Sequence, residues 1–582
     1  MTKNFLFVLL MFSISFSQDK NDWQTYFEKS GYLETPRYAE TMEYFRKLAD
    51  YSDVAEMIKF GVSPQGRDLN CLVVSNDKAF KPEDAKATGK PVILIINGIH
   101  SGEIEGKDAS MILLREILVT KEKEKMLDNV ILLVIPVFSV DGHERFGKYN
   151  RINQNGPEEM GWRTTAQNLN LNRDWMKADA PEMKAMLKLF SSWLPDFIID
   201  NHTTDGADYL YVMTFGIEYF KNSYSETELM LRSKFAPFLY EKMNQTGFLS
   251  HGYVWLKDWV KGLDSGITEG PGAPRFSTGY AAIQNRPALL VETHMLKPYK
   301  ERVFSTKVAM EAVIEFCSDN KVEIIELNGK ADRNSIINLL EKKEKLPVGF
   351  KVSGKSVKTP FKGVKYYKEK SEISGAEKIV YTEEKENLVL DLFNDVQIVK
   401  EVSVPNLYII PSEWSLIVER MRLHGVKVDT LKEDKIFDVK RYRFSDIKFE
   451  EKPFEGRNRV SFTINEYYEK RKIPAGSYIV STDQRTIKVI VNLLEPEAED
   501  SFIKWGFFNA IFEQKEYFEA YVMEKISQEM IKKDPQLKKE FDEKLSLDEK
   551  FKNDPNARLN FFYERSPYYD SQLNVYPVMK VE

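Results

Sequence analysis

Six histidines occur in 582 residues, and two of them stand where a metal would need them. His100 follows the apolar run PVILIINGI (91–99), Glu103 comes three residues later, and His202 ends the run PDFIIDNH (195–202). A short His-x-x-Glu spacer joined to a remote histidine makes a His₂Glu zinc site with one position left for water. The spacer lets a single strand-to-helix turn present two ligands from one base. The distant third ligand completes the set only once the sheet has formed. Zinc in such a site lowers the pKa of a bound water toward ~7 and makes it a nucleophile. Glu292 ends the run PALLVET (287–293). Standing outside the ligand set, it reads as the general base and acid.

The runs that deliver these residues are short, nearly continuous and rich in Val and Ile. LNCLVVS (69–75) and NVILLVIPVF (129–138) have the same texture. Continuous rather than alternating apolar runs suit strands covered on both faces. Helical stretches at 103–119 and 180–193 lie between them, and a helix at roughly 300–317 closes this part. The alternation predicts an α/β fold: a doubly wound, mostly parallel or mixed sheet with helices on both faces. The chemistry-bearing residues then gather at the C-terminal ends of the strands, where open sheets bind ligands. A helix is expected from about Pro36 to Gly61, with Tyr44, Phe45, Leu48 and Tyr51 at helical spacing.

Beyond about residue 320 the texture shifts to Lys, Glu, Val and Tyr. VGFKVSGKSVK (348–358) alternates as half-exposed strands do, and a helix after Pro411 stops at Gly425. ProAlaGly at 474–476 is read as the start of a strand pair. Residues 500–550 are read as charged amphipathic helices opened by Asp500-Ser501. The expected organisation is a signal peptide over 1–17, a catalytic domain over 18–320 and an α+β region over 321–582.

The formal net charge is −6 with the signs interleaved, so the basic footprint of a nucleic-acid binder is absent. At the start, Lys3 precedes an apolar run from Phe5 to Phe12, too short to span a bilayer, and Ser15 and Ser17 mark a cleavage site. These features predict an exported protein, secreted or periplasmic, with no membrane span in the mature chain. Two cysteines, Cys71 and Cys317, are too few for a disulfide scaffold and read as small buried hydrophobes.

Several blocks, in order, resemble the carboxypeptidase A/B-type family of zinc metallopeptidases over roughly residues 35–317. They are GVSPQGRDL (61–69), NGIHSGEIEG (97–106), PVFSVDGHERF (136–146), GWRTT (161–165), LNLNRDW (169–175), DNHTT (200–204) and LLVETH (289–294). The resemblance implies a carboxypeptidase fold and one zinc per chain on His100, Glu103 and His202, with a peptide as substrate. It also implies that Arg163 holds the developing oxyanion, that Asn172 and Arg173 bind the substrate's terminal carboxylate, and that Glu292 activates the water. Tyr280 is the candidate for the family's mobile tyrosine. Two departures stand out. Gly102 replaces the arginine that many members carry between the ligands, removing a cation. Asn170 stands where many place an Asp that orients the ligand equivalent to His100.

The leading function is hydrolysis of the C-terminal peptide bond of peptides. The alternatives are another zinc amide hydrolase on this fold, such as a cell-wall peptide hydrolase or a deacylase, and a non-catalytic peptide-binding relative. The remaining histidines have structural readings: His143 in a turn, His251 in a loop near the site, His424 in the last turn of a helix. His294 shares a strand face with Glu292 and is expected at the cleft.

Overall fold

The computed structural model describes residues 23–204 and 206–582. The proposed leader, residues 1–17, lies outside the described residues. Among the described residues no helix is long and apolar enough to cross a membrane.

The apolar runs of the first half form one eight-stranded sheet. Its strands are β1 (Ala55–Val62), β2 (Asp68–Val74), β3 (Val92–Ile96), β4 (Ile131–Ile135), β5 (Phe197–Thr204), β6 (Met213–Ile217), β7 (Ser250–Gly252) and, after the short β8 (Trp255–Leu256) and β9 (Ile267–Thr268), β10 (Ala288–His294). Their order is β1-β2-β4-β3-β5-β10-β6-β7. The middle four, β4, β3, β5 and β10, run parallel, while β1, β2 and β6 pair antiparallel. The sheet is therefore mixed, with its parallel part where the chemistry-bearing strands lie.

Strand side chains alternate between two cores, as the twofold period requires. Ile93, Ile95, Leu132, Val134 and Ile199 enter one core with the helices Glu105–Leu118 and Tyr299–Asp319. Leu94, Ile96, Leu133, Ile135 and Ile198 enter the other, with the helix Pro181–Trp193. Burying each such side chain contributes about 1.5–3 kcal/mol. The second core continues into the C-terminal half, taking in Ile417, Val418 and Met421 of the helix Ser415–Leu423 and Val489, Ile490, Leu493 and Leu494 of the helix Ile487–Leu494. Cys71 and Cys317 are buried and unpaired.

The C-terminal half is α+β. It contains β11 (Leu346–Val352), β12 (Val357–Lys370), β13 (Glu377–Phe393), β14 (Val396–Val402), β15 (Leu407–Ile410), β16 (Asp429–Thr430), β17 (Lys435–Phe449), β18 (Val460–Ile473), β19 (Tyr478–Ser481) and β20 (Met579–Val581). Helices from Ala520 to Tyr563 form a separate small cluster. The long hairpin β12–β13 reaches back and pairs with β9, making the four-stranded sheet β12-β13-β9-β8.

Three expectations are corrected. The helix expected to Gly61 ends at Tyr51; Ala55–Val62 is an edge strand whose half-exposed pattern lets it pair with β2. Asp500 opens no helix: its carboxylate accepts from the backbone N–H and the guanidinium of Arg275. ProAlaGly 474–476 is the turn that ends β18, with Gly476 at φ +90°.

Candidate active site

Two turns and two parallel strands assemble the site. After β3 the chain turns so that the N–H of Glu103 donates to the carbonyl of His100 at 2.9 Å. That turn precedes the helix beginning at Glu105, so Glu103 lies ahead of the helix rather than on it. On β5, His202 is in register with Glu292 on the neighbouring parallel strand β10. Equal register puts both side chains on one side of the sheet, about 4.8 Å apart along the hydrogen-bonding direction.

Ligand atoms of His100, Glu103 and His202 lie within 4.8 Å of one another, all buried. Glu103 Oε2 is 3.1 Å from His100 Nδ1 and 2.8 Å from His202 Nδ1. The outer nitrogens are committed elsewhere. His100 Nε2 is 2.9 Å from Asn170 Oδ1, and His202 Nε2 is 2.9 Å from Asp200 Oδ2. Each imidazole thus turns Nδ1 toward Glu103 and Nε2 outward to an oxygen, the orientation in which a neutral ring would offer Nδ1 to a metal. Two nitrogens and a carboxylate oxygen converging in this way fit zinc.

Charge in this cluster is balanced by neighbours. Burial holds His100 down at about 4, against the pull of Glu103. Burial also opposes charge on His202, but the carboxylates of Asp200 and Glu103 outweigh it and hold its pKa well up. Glu103 is pushed up by burial and brought well below the usual carboxylate range by His100 and Arg151.

Asp200 was not among the expected site residues. It sits two positions before His202, so the strand period places both on one face. Its Oδ2 accepts from Ser277 Oγ at 2.5 Å as well as from His202. Arg151 was also missed. Its guanidinium lies 2.9 Å from Glu103 Oε1, beside that of Arg163 at 3.0 Å. Gly102 makes room for it: a Cβ there would fall 2.7 Å from Arg151 Cγ and 2.9 Å from the carbonyl oxygen of Gly161. Position 102 thus carries no cation, and the guanidinium of Arg151 enters the cleft from the loop after it.

A cleft of about 790 Å³ opens from the three ligands and is lined also by Arg163, Asn172, Arg173 and Glu292. Arg173 donates to the carbonyl of Asn172 at 2.8 Å and stacks over Phe276, 4.4 Å from the ring centre. Asn172 Oδ1 accepts from the N–H of Ser277 at 3.0 Å, and its Nδ2 lies 3.3 Å from His202 Nε2. Glu292 is 8% exposed, in the cleft wall.

Tyr280 is not brought to the site. It is fully buried in the second core, its ring against Trp175 and Phe190 and its hydroxyl 3.0 Å from His424 Nδ1, accepting also from Gln284. Tyr219 and Tyr253 line the cleft instead. His294 also misses it: its Nε2 contacts the carbonyl of Ala207 and its Nδ1 accepts from the N–H of Leu296.

Residues 41–207 match the family model described as zinc carboxypeptidase. Carboxypeptidase 2 of Trichophyton tonsurans is 24% identical over 498 residues, covering 81% of this chain and 84% of that protein. Carboxypeptidase 2 of Trichophyton rubrum is 23% identical over 492 residues, with the same coverage of 81% and 84%. The crystal structure of a metallo-carboxypeptidase from Burkholderia cenocepacia matches at 17% identity and a TM-score of 0.36, covering 49% of this chain and 69% of that one. Residues 41–207, which supply all three converging ligands, thus match a zinc carboxypeptidase domain.

Proposed function

We propose that this metallopeptidase is exported and removes C-terminal residues from peptides, with one zinc per chain and Glu292 as general base. The observation that carries the reading is the meeting, in one cleft, of the His100–Glu103–His202 set, Glu292 in register with His202, and the guanidinium of Arg173. Zinc held by the three ligands would supply a Lewis acid beside the scissile carbonyl. Arg173, with Asn172, receives the substrate's terminal carboxylate as a planar fork. That fixes the last peptide bond in the cleft and converts binding into alignment. Glu292 takes a proton from the attacking water and returns it to the departing amine nitrogen. Arg163 faces the carbonyl oxygen as charge develops on it.

The purified protein should contain zinc close to one per chain and release single C-terminal residues from a mixed peptide library. His202→Ala should lose most of the metal. Full occupancy in that variant would overturn the ligand assignment, whatever its activity.

Export is carried by Lys3, the apolar run and the Ser15/Ser17 pattern. Mass spectrometry of the exported fraction should find a chain beginning near Gln18. An intact Met1 in that fraction counts against a cleaved leader.

A further inference from the structure

The loops around Arg173 are tied down from outside the catalytic sheet. Asn172 and Arg173 lie on the stretch 169–179, and the C-terminal half holds that stretch at three points. The carboxylate of Glu455 accepts from the N–H of Asn170 at 3.3 Å. The guanidinium of Arg457 donates to both carboxylate oxygens of Asp179, at 2.9 and 2.6 Å. Arg420, from the helix Ser415–Leu423, donates to the carbonyl of Ala178. Glu455 and Arg457 belong to the turn that joins β17 to β18. All three lie outside the cleft lining, behind the residues that form it.

A second loop sets the other side of the fork. Phe276 lies under the guanidinium of Arg173, and Ser277 donates its N–H to Asn172 Oδ1 at 3.0 Å. The residue before them, Arg275, is gripped by Asp500. One carboxylate oxygen accepts from its backbone N–H and the other from its guanidinium, each at 3.0 Å. Asp500 is only 1% exposed. Among the described residues, Arg275 is the only hydrogen-bond partner of its carboxylate. A buried carboxylate is costly unless its oxygens are used, and these are used on the residue next to Phe276. The pair also balances charge. Arg275 lies 5.2 Å from the centre of the same ring that Arg173 covers. Burial, and then the charges of Arg163 and Arg275, press Arg173 below the usual guanidinium range. Asp500 and Glu499 answer the charge of Arg275 at 3.0 and 2.6 Å. A guanidinium meets a carboxylate in two parallel bonds only when its plane is set, and a misplacement of about 1 Å can cost about 100-fold.

We propose that the C-terminal half completes the clamp for the peptide's terminal carboxylate, with Asp500 and Arg457 as positioning residues that fix the two loops meeting at Arg173. This rests on the carboxypeptidase reading and gives the region 321–582 a part in it.

The test measures cleavage of an N-acylated peptide with a free C-terminus, and of its amidated twin, by the zinc-loaded full chain. The proteins compared are wild type, Arg173→Ala, Asp500→Asn and Arg457→Gln. Asparagine keeps the size of Asp500 and removes the charge that holds Arg275. Asp500→Asn and Arg457→Gln should each raise KM for the free acid by about tenfold, the lower range of a charge-assisted contact. Turnover and zinc content should stay close to wild type, the pattern of lost binding rather than lost chemistry. The preference for acid over amide should fall by the same factor. Wild-type KM and preference in both variants overturn the proposal. So does an equal loss on acid and amide, or a fall in kcat with KM unchanged, because either marks a general structural role. Should Asp500→Asn fail to fold, Arg457→Gln, at a side chain 23% exposed, decides by the same comparison. Arg173→Ala separates this proposal from the reading beneath it. If that variant keeps the acid preference, the clamp is misassigned and both fall; if it loses the preference while Asp500→Asn and Arg457→Gln keep it, this proposal falls alone. If wild type cleaves neither peptide, equilibrium binding of N-acetylleucine against its amide in the same four proteins decides. Binding of the acid about tenfold weaker in Asp500→Asn then supports the proposal, and unchanged binding overturns it.

Discussion

Replacing Glu292 by glutamine should leave the zinc in place and lower kcat by about 10²–10⁴-fold, the usual contribution of a general acid–base group. Glu292 is not in the ligand set, so metal content should match wild type. The amide keeps the size of the side chain at a position only 8% exposed, and the parallel register with His202 holds the backbone. What the substitution removes is the proton acceptor. KM should therefore change little while kcat falls, because the interaction lost is one made along the reaction rather than in the bound ground state. Steady-state kinetics with metal analysis on the same sample checks this. Turnover comparable to wild type would remove Glu292 as the base, and a variant without zinc would mean that its role is to hold the site together. Unchanged peptide binding with no turnover in wild type itself would favour the non-catalytic binding protein.

Arg173→Ala should abolish the preference for a free C-terminus. Wild type should cleave a peptide much faster than its C-terminally amidated twin, since the guanidinium gains a partner only with the carboxylate. A hydrogen bond to a charged group is worth about 1.5–3 kcal/mol, or roughly 10–150-fold at 1.4 kcal/mol per decade. The variant should lose about that factor in kcat/KM on the acid and little on the amide. Lysine at this position should not restore the loss. The fork of Arg173 is set in its plane by Phe276 and by the carbonyl of Asn172, and an ammonium cannot copy that geometry. Equal cleavage of acid and amide by wild type would refute exopeptidase action and promote the amidase or endopeptidase alternative, with the metal cluster untouched.

The convergence of His100, Glu103, His202 and Glu292 was legible because His100, His202 and Glu292 each come at the end of a buried apolar run, with Glu103 on the turn after the first, and buried parallel strands present their ends along one edge. Asp200 was legible in principle from its two-residue spacing to His202. Arg151 was not. Its presence beside Glu103 depends on the path of the loop around 147–161, which local sequence does not specify, although Gly102, whose missing Cβ leaves the space, was visible. Tyr280 was misplaced because aromatic residues before a catalytic strand are as useful to a core as to a cleft, and here Trp175, Phe190 and His424 claim it. The edge strand β1 was taken for the end of a helix because a half-exposed strand with an irregular register dilutes its alternation. Asp500 carried a helix-opening signal that a tertiary partner, Arg275, outcompeted.

The pairing of β9 with β13 ties Thr268 and Glu269 of the cleft wall to a hairpin more than 100 positions further along the chain. Glu269, hung from Phe393 by its main chain, takes its position from a hairpin that does not carry a metal ligand. Variation in β12 and β13 can therefore shift this stretch of the wall while the turn and strand that carry His100, Glu103 and His202 stay in place.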